Sequence, residues 1–152
     1  MKINIALLAI ALFSLAFISG CHKGGYGVSY SMKATIGSNT YEAPNCIARP
    51  SGSSMIIYGM NNTSSTATSP SIPYLSITIV NWHEALDTFY FDSTLTKNVA
   101  AYWPSSSQTS YSKTGEVYIN TLNSDNISGV FQIVCSDGSK ITDGSFTAKR
   151  LQ

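Results

Sequence analysis

The residues of this chain that could do chemistry are few and scattered. His83-Glu84, directly after Trp82, is the one adjacent pairing of an imidazole with a carboxylate, and His22 is the only other histidine. A zinc site draws on several convergent ligands, usually including His or Cys at short spacing. With no second histidine at helical spacing, His83-Glu84 does not form a zinc motif and reads as a loop pair without a chemical task. Serines are abundant, but no Gly-x-Ser-x-Gly elbow holds one of them, and nucleophilic catalysis would have only His83 as a base. Glycoside hydrolysis needs two carboxyl groups at a set separation across a sugar. Glu42, Glu84, Asp87, Asp92 and Glu116 could supply a pair, yet the whole chain has only 8 acidic residues, and surface and turn roles account for them. No catalytic residue, metal ligand or cofactor site is expected, and the chain reads as a non-enzyme.

The three cysteines have different prospects. Cys21 ends an apolar run: Lys2 supplies a positive start, Ile3 to Ile18 is almost wholly apolar, and Ser19 and Gly20 are small. That is the pattern of a secretory signal peptide, somewhat shorter than the roughly 20 apolar residues that span a bilayer. Ile18-Ser19-Gly20-Cys21 resembles the bacterial lipobox. The resemblance implies cleavage before Cys21 and acylation of its thiol and new amino terminus, hence membrane attachment through lipid on Cys21. Several acyl chains anchor durably, because each buried methylene contributes about 0.8 kcal/mol and one chain alone is marginal. Cys46 and Cys135 then remain, in a compartment oxidising enough to join them. A bridge would close a loop of about 90 residues and contribute on the order of 4 kcal/mol on the chain-entropy account. Two buried free thiols are the alternative, since free Cys packs as a small hydrophobe.

Aromatic side chains offer the other hint of function. Trp82, Tyr102 and Trp103 stand at or near the ends of strand-like runs, and Tyr74 and Tyr111 border the two longest polar connectors. Flat rings can stack on the apolar faces of sugars or clamp a peptide, which would place recognition at one end of the domain carrying Trp82, Trp103 and the loops Asn61 to Pro73 and Pro104 to Lys113; they can equally fill or cover a core.

The elements that must position these residues are strands. Short runs rich in Val, Ile, Thr, Tyr and Phe alternate with clusters of Gly, Pro, Asn, Asp and Ser. Strands are expected at Ser29–Ile36, Thr40–Ala48, Ser54–Met60, Tyr74–Asn81, Thr88–Phe91, Val99–Trp103, Gly115–Leu122, Ile127–Ser136 and Lys140–Lys149. Trp82 to Asp87 could form one helical turn; no segment has sustained helical periodicity. Connectors such as Gly37-Ser38-Asn39, Ser51-Gly52-Ser53, Ser124-Asp125-Asn126 and Asp137-Gly138 carry turn chemistry, and short links imply antiparallel neighbours. Asn61 to Pro73 and Pro104 to Lys113 read as long loops. Val117 and Ile119 alternate with Glu116 and Tyr118, and Phe131, Ile133 and Cys135 with Gln132 and Val134, so one face of each strand is dry. The expectation is an all-β antiparallel domain of eight or nine strands, arranged as a two-sheet sandwich or flattened barrel. It occupies residues 28–152, behind a leader at 1–20 and a glycine-rich tether at 21–27.

Gly115-Glu116-Val117-Tyr118-Ile119, Ile127-Ser128-Gly129-Val130-Phe131 and Gly144-Ser145-Phe146, behind a lipobox leader, resemble a family of small bacterial envelope lipoproteins of uncharacterised function. Where that family has a Gly before its central Thr-Tyr step, this chain has Asp87-Thr88-Phe89. The resemblance implies an all-β domain in the cell envelope and carries over no catalytic residue. His22, where some bacteria place an Asp that retains lipoproteins at the inner membrane, points to the outer membrane. Lys23-Gly24-Gly25 lacks the acidic cluster of exported surface lipoproteins, which leans toward the periplasmic leaflet. Charged residues make up only 11% of the chain and the formal charge is +1, so no basic surface exists to neutralise phosphates and nucleic acid is not an expected partner. A lipid-anchored binding module for a glycan or an envelope protein is the leading expectation. A structural or assembly lipoprotein and a small enzyme inhibitor are the alternatives.

Overall fold

In the computed structural model, described residues are 27–62, 70–94 and 96–152, and they form ten strands and no helix. The leader, Cys21 and nearly all of the tether lie outside the described residues. The strands are β1 (Ser31–Ile36), β2 (Asn39–Ala43), β3 (Asn45–Ser51), β4 (Ser54–Met60), β5 (Tyr74–Ile79), β6 (Thr88–Phe91), β7 (Val99–Ser105), β8 (Gln108–Leu122), β9 (Asn126–Cys135) and β10 (Lys140–Arg150).

The all-β expectation holds, with five corrections, the first of which touches only the sandwich alternative and not the barrel. There is one sheet rather than two: β3, β4, β5, β7, β8, β9 and β10 close into a seven-stranded barrel, and β1, β2 and β6 are additions to it. The strand count is ten, because Thr40–Ala48 divides at Pro44 into β2 and β3; proline brings no N–H to a ladder. The sheet is not wholly antiparallel, since β10 closes onto β3 through a parallel contact pairing Lys149 with Ile47 and Arg150 with Ala48. Pro104 to Lys113 is no loop but the tight β7–β8 hairpin, turning at Ser106-Ser107. Trp82 to Asp87 forms bends rather than a helical turn.

Two strands of the barrel, β8 and β10, each divide one edge between two partners. The same stretch of β8 that leaves β7 after Tyr111 takes up β6, whose Phe89 and Phe91 pair with Val117 and Gly115. Asp87 starts β6 by accepting the Thr88 N–H in its carboxylate, 2.7 Å. Asn98 bridges the gap, donating to Tyr90 O and accepting from Val80 N–H. On β10, β1 pairs with Ile141 to Thr147 before β3 takes over.

The alternation read from the sequence places the core. Val117, Ile119, Phe131, Ile133, Cys135, Ile141, Phe146 and Ala148 are all buried in one cluster. The phase change between Ile141 and Phe146 is a bulge at Thr142-Asp143, with Asp143 at φ 52°. Gly144 faces Phe131 and Gly129 faces Phe146 across the β9–β10 ladder. A Cβ on Gly144 would meet the Phe131 ring at 2.5 Å, and one on Gly129 the Phe146 ring at 3.0 Å. Each phenyl ring therefore lies over the bare backbone opposite it, and the two rings sit 6.3 Å apart. Tyr41 ties β2 to the barrel wall: its buried hydroxyl donates to Gly59 O at 2.7 Å and accepts from Leu75 N–H at 3.1 Å. Burial pushes that phenol well above its ordinary pKa.

Strand directions sort the connections into two ends. The β1–β2 turn, the end of β4 and start of β5, the β7–β8 hairpin and the β9–β10 turn lie at one end, here the mouth; of the loop expected at Asn61 to Pro73, 63–69 lie outside the described residues. The β3–β4 and β8–β9 turns, the β5–β6 connection and the chain terminus lie at the other, the base.

Candidate functional site

Tyr74, Trp103 and Tyr111 come together on the outer wall, near the mouth. Tyr74 and Trp103 are direct cross-strand partners in β5 and β7, with rings stacked at 5.5 Å and 15°. Tyr111 on β8 sets its ring 6.3 Å from Trp103 at 76°. The row extends to two residues that the sequence reading missed. Tyr58 on β4 lies 6.5 Å from Tyr74, and the Arg49 guanidinium on β3 sits 5.2 Å over the Tyr58 ring, close to the range of useful cation–π attraction. Five adjacent strands thus each give one side chain to a diagonal row, Arg49-Tyr58-Tyr74-Trp103-Tyr111. Arg49 and Tyr111 are exposed and the three between them half-buried.

Neighbouring rings in the row raise the Tyr74 pKa by partial burial first, and by the phenols of Tyr58 and Tyr111 second. The phenol therefore stays protonated and able to donate a hydrogen bond through the neutral range. Within the row, the ring faces of Tyr74 and Trp103 are partly spent on each other, which leaves edges, hydroxyls and the outer face of Tyr111 toward solvent.

Trp82 is not part of this row. It follows β5 at the base, where its backbone N–H donates to Ser53 O and its ring packs 5.7 Å from Phe89. Tyr74 begins the same strand at the mouth, and β5 alone, at about 3.3 Å per residue, separates them by roughly 17 Å. The expectation that Trp82 and Trp103 share one end is therefore corrected. Trp82 instead joins Met55, Pro50 and Arg150 around a shallow basal hollow. Of its neighbours, His83 sits 5.8 Å from Phe89 and Glu84 pairs with Arg150.

Tyr102 is also separate from the row. It stands on the same strand as Trp103 but on the opposite face, pointing into the barrel mouth, where its ring meets Tyr41 edge-on at 5.9 Å. Two hollows meet at Tyr102 and Ile36. The larger, about 490 Å³, runs to Gln108, Ser110, Asp137 and Ser139; the smaller, about 240 Å³, runs to Thr40, Glu42, Asn61 and Pro73. The Asp137 carboxylate accepts from the Ser110 hydroxyl, from Ser139 N–H at 2.9 Å and from Ser139 Oγ at 2.6 Å. Those bonds hold it below the ordinary carboxylate range, Ser110 contributing most.

Cys46 and Cys135 are not bridged; both are free and buried in the core. Burial pushes both thiols above their ordinary pKa, which suits inert packing rather than nucleophilic work. No group of three or more His, Cys, Asp or Glu residues that could hold a metal ion occurs among the described residues.

Compared with protein-family models, with curated proteins and with solved structures, the chain matches none.

Proposed function

We propose that this chain is a lipid-anchored protein of the bacterial cell envelope whose barrel binds carbohydrate, with the aromatic row at the mouth end as its contact surface. The observation that carries the reading is the row itself. Four rings at 5.5–6.5 Å spacing form a continuous strip that can contact successive units of a sugar chain, apolar C–H groups against rings and hydroxyls against phenols. Ser76, beside Tyr58 in the ladder, adds a neutral hydroxyl on the same face. A surface so poor in charge favours neutral ligands over nucleic acid or strongly acidic polymers.

The expected result on a glycan array is binding by the full chain, weakened tenfold or more by Trp103→Ala. Trp82→Ala, at the far end of the barrel, should leave it within twofold. Equal loss in both variants, or no binding by the parent protein, would remove the row from consideration.

A second reading has its own support. Arg, Tyr and Trp are the residues most enriched where protein interfaces concentrate their binding energy, and the row is made of these three types. A partner captured from envelope extracts through Trp103, with no glycan bound, would favour the assembly role over carbohydrate binding.

The anchor is proposed from Ile18 to Cys21. Cys21→Ser should block acylation and shift the protein out of the membrane fraction or leave it unprocessed there. Membrane fractionation with metabolic labelling by a fatty acid checks this. Identical processing, labelling and solubility of the two forms would end the lipoprotein reading.

A further inference from the structure

The barrel mouth holds a second concave surface that the aromatic row does not use. Its floor is apolar: Tyr102, half-buried and braced edge-on by Tyr41, with Ile36 packed against the same core. Its walls are hydroxyl- and amide-bearing: Gln108 and Ser110 from the inner face of the β7–β8 hairpin on one side, Ser139 on the other. At about 490 Å³ for the larger hollow alone, it falls in the size range of small-molecule sites, which recur in the mouths of barrels.

The charges restrict what could enter. Neither hollow is lined by a Lys or Arg, so a phosphate or carboxylate ligand would find no counter-charge. Of the two lining carboxylates, Glu42 is already paired with Lys33 at 2.8 Å. Asp137 alone faces the larger hollow, and serine donors on either side fix its orientation without neutralising it. A carboxylate held in this way accepts hydrogen bonds and offers none. The complementary ligand is neutral, presents an apolar face to a ring and surrounds that face with hydroxyl donors. A sugar ring has that pattern.

We infer that the cleft over Tyr102 is a binding pocket for a single sugar ring, with Tyr102 and Ile36 beneath the ring and Asp137 and the wall hydroxyls receiving its hydroxyl groups. The inference rests on the carbohydrate reading above for the class of ligand, and deepens it. Tyr102 and Trp103 lie on opposite faces of one strand at one height, so a chain lying along the row can cross the rim beside Pro104 and end in the cleft. The row would then bind along a chain, and the cleft would read its terminus.

The test is amide chemical-shift mapping on the isotope-labelled full chain in detergent micelles, titrated separately with glucose, galactose, mannose and N-acetylglucosamine to high millimolar concentration. Saturable shifts at Tyr102, Ser110 and Ser139 with at least one of the four sugars are expected. Asp137→Asn, which keeps an acceptor for Ser139, should weaken that binding fivefold or more; Tyr102→Leu should abolish it, and Tyr102→Phe should retain it. Trp82→Ala, at the base of the barrel, should change it less than twofold. Shifts confined to the residues of the row would overturn the cleft while leaving the row's reading intact. Shifts at the cleft with a row that binds no oligosaccharide would support the cleft and overturn the row. If neither responds to any of the four sugars, the cleft inference falls. Mapping on the unaltered protein decides the matter even where a variant fails to fold.

Discussion

Replacing Phe131 by Ala is expected to lower stability by about 3–5 kcal/mol, the range for removing a buried phenyl ring. Phe131 is only 4% exposed and sits on β9, between β8 and β10, paired with Val117 on one side and Gly144 on the other. Its ring covers Gly144, which has no side chain of its own to close the space, and it abuts Phe146. Truncation would remove the ring's transfer free energy, open a cavity, and leave the Thr142-Asp143 bulge unsupported from inside. Those three losses fall on one spot, so local collapse has little to collapse with. The preceding residue gives the control: Val130 is 47% exposed, and Val130→Ala should stay within about 0.5 kcal/mol. Denaturant midpoints at unchanged slope measure both. A Phe131→Ala cost below about 0.5 kcal/mol would mean that the dry face of β9 has been assigned to the wrong side.

How much of this was legible beforehand depends on the range of the interaction that decides each feature. The dry faces of β8, β9 and β10 follow from period-two alternation, a local property, and Val117, Ile119, Phe131 and Ile133 are buried as the pattern requires. The change of phase after Ile141 falls where Asp143-Gly144 interrupts the alternation. A barrel was one of two arrangements open, but the strands that close it were not visible: closure depends on two residue pairs joining positions 47–48 to 149–150, and no local pattern announces a parallel contact over that distance. Polarity misled at Pro104 to Lys113, because the β7–β8 hairpin projects past the barrel and meets polar surroundings on both faces, so a strand there carries no apolar stripe. Pro44 carried the signal for the break between β2 and β3, since proline brings no N–H to a ladder, but Thr40–Ala48 was expected as one strand across it.

The candidate site divides the same way. Tyr74, Trp103 and Tyr111 stood out as aromatics at strand ends, but Tyr58 and Arg49 join them only through register across β3, β4 and β5, which a single sequence does not supply. Trp82 is a different kind of miss. Tyr74 and Trp82 begin and follow the same extended run, so they could never have shared an end, and counting strand directions would have separated them. Tyr102 and Trp103 are adjacent in sequence, and alternation alone sends them to opposite faces of β7.

The second large effect is expected at Gly115, where β8 passes from its pairing with β7 to its pairing with β6. Gly115 has φ +132°, outside the regions open to other residues, and a Cβ there would lie 2.2 Å from Gln132 O and 2.9 Å from Ile133 Cα. Both obstacles are backbone of the neighbouring strand, so no side chain can swing aside. An alanine must hold the strained dihedral, at about 1–3 kcal/mol, and also push β9 away, adding about 1–3 kcal/mol of overpacking and lengthening ladder hydrogen bonds next to Phe131. Gly115→Ala should therefore destabilise by roughly 2–6 kcal/mol on these two terms. Gly138 separates them: it also has positive φ, +85°, but nothing lies within 4 Å of a Cβ built on it, so Gly138→Ala carries the dihedral cost without the collision. Urea midpoints of the two variants measure the difference. Equal destabilisation would assign the whole effect to backbone conformation and refute the close approach of β9, whereas a markedly larger loss at Gly115 would show that the strands meet there with no room for a single methyl group.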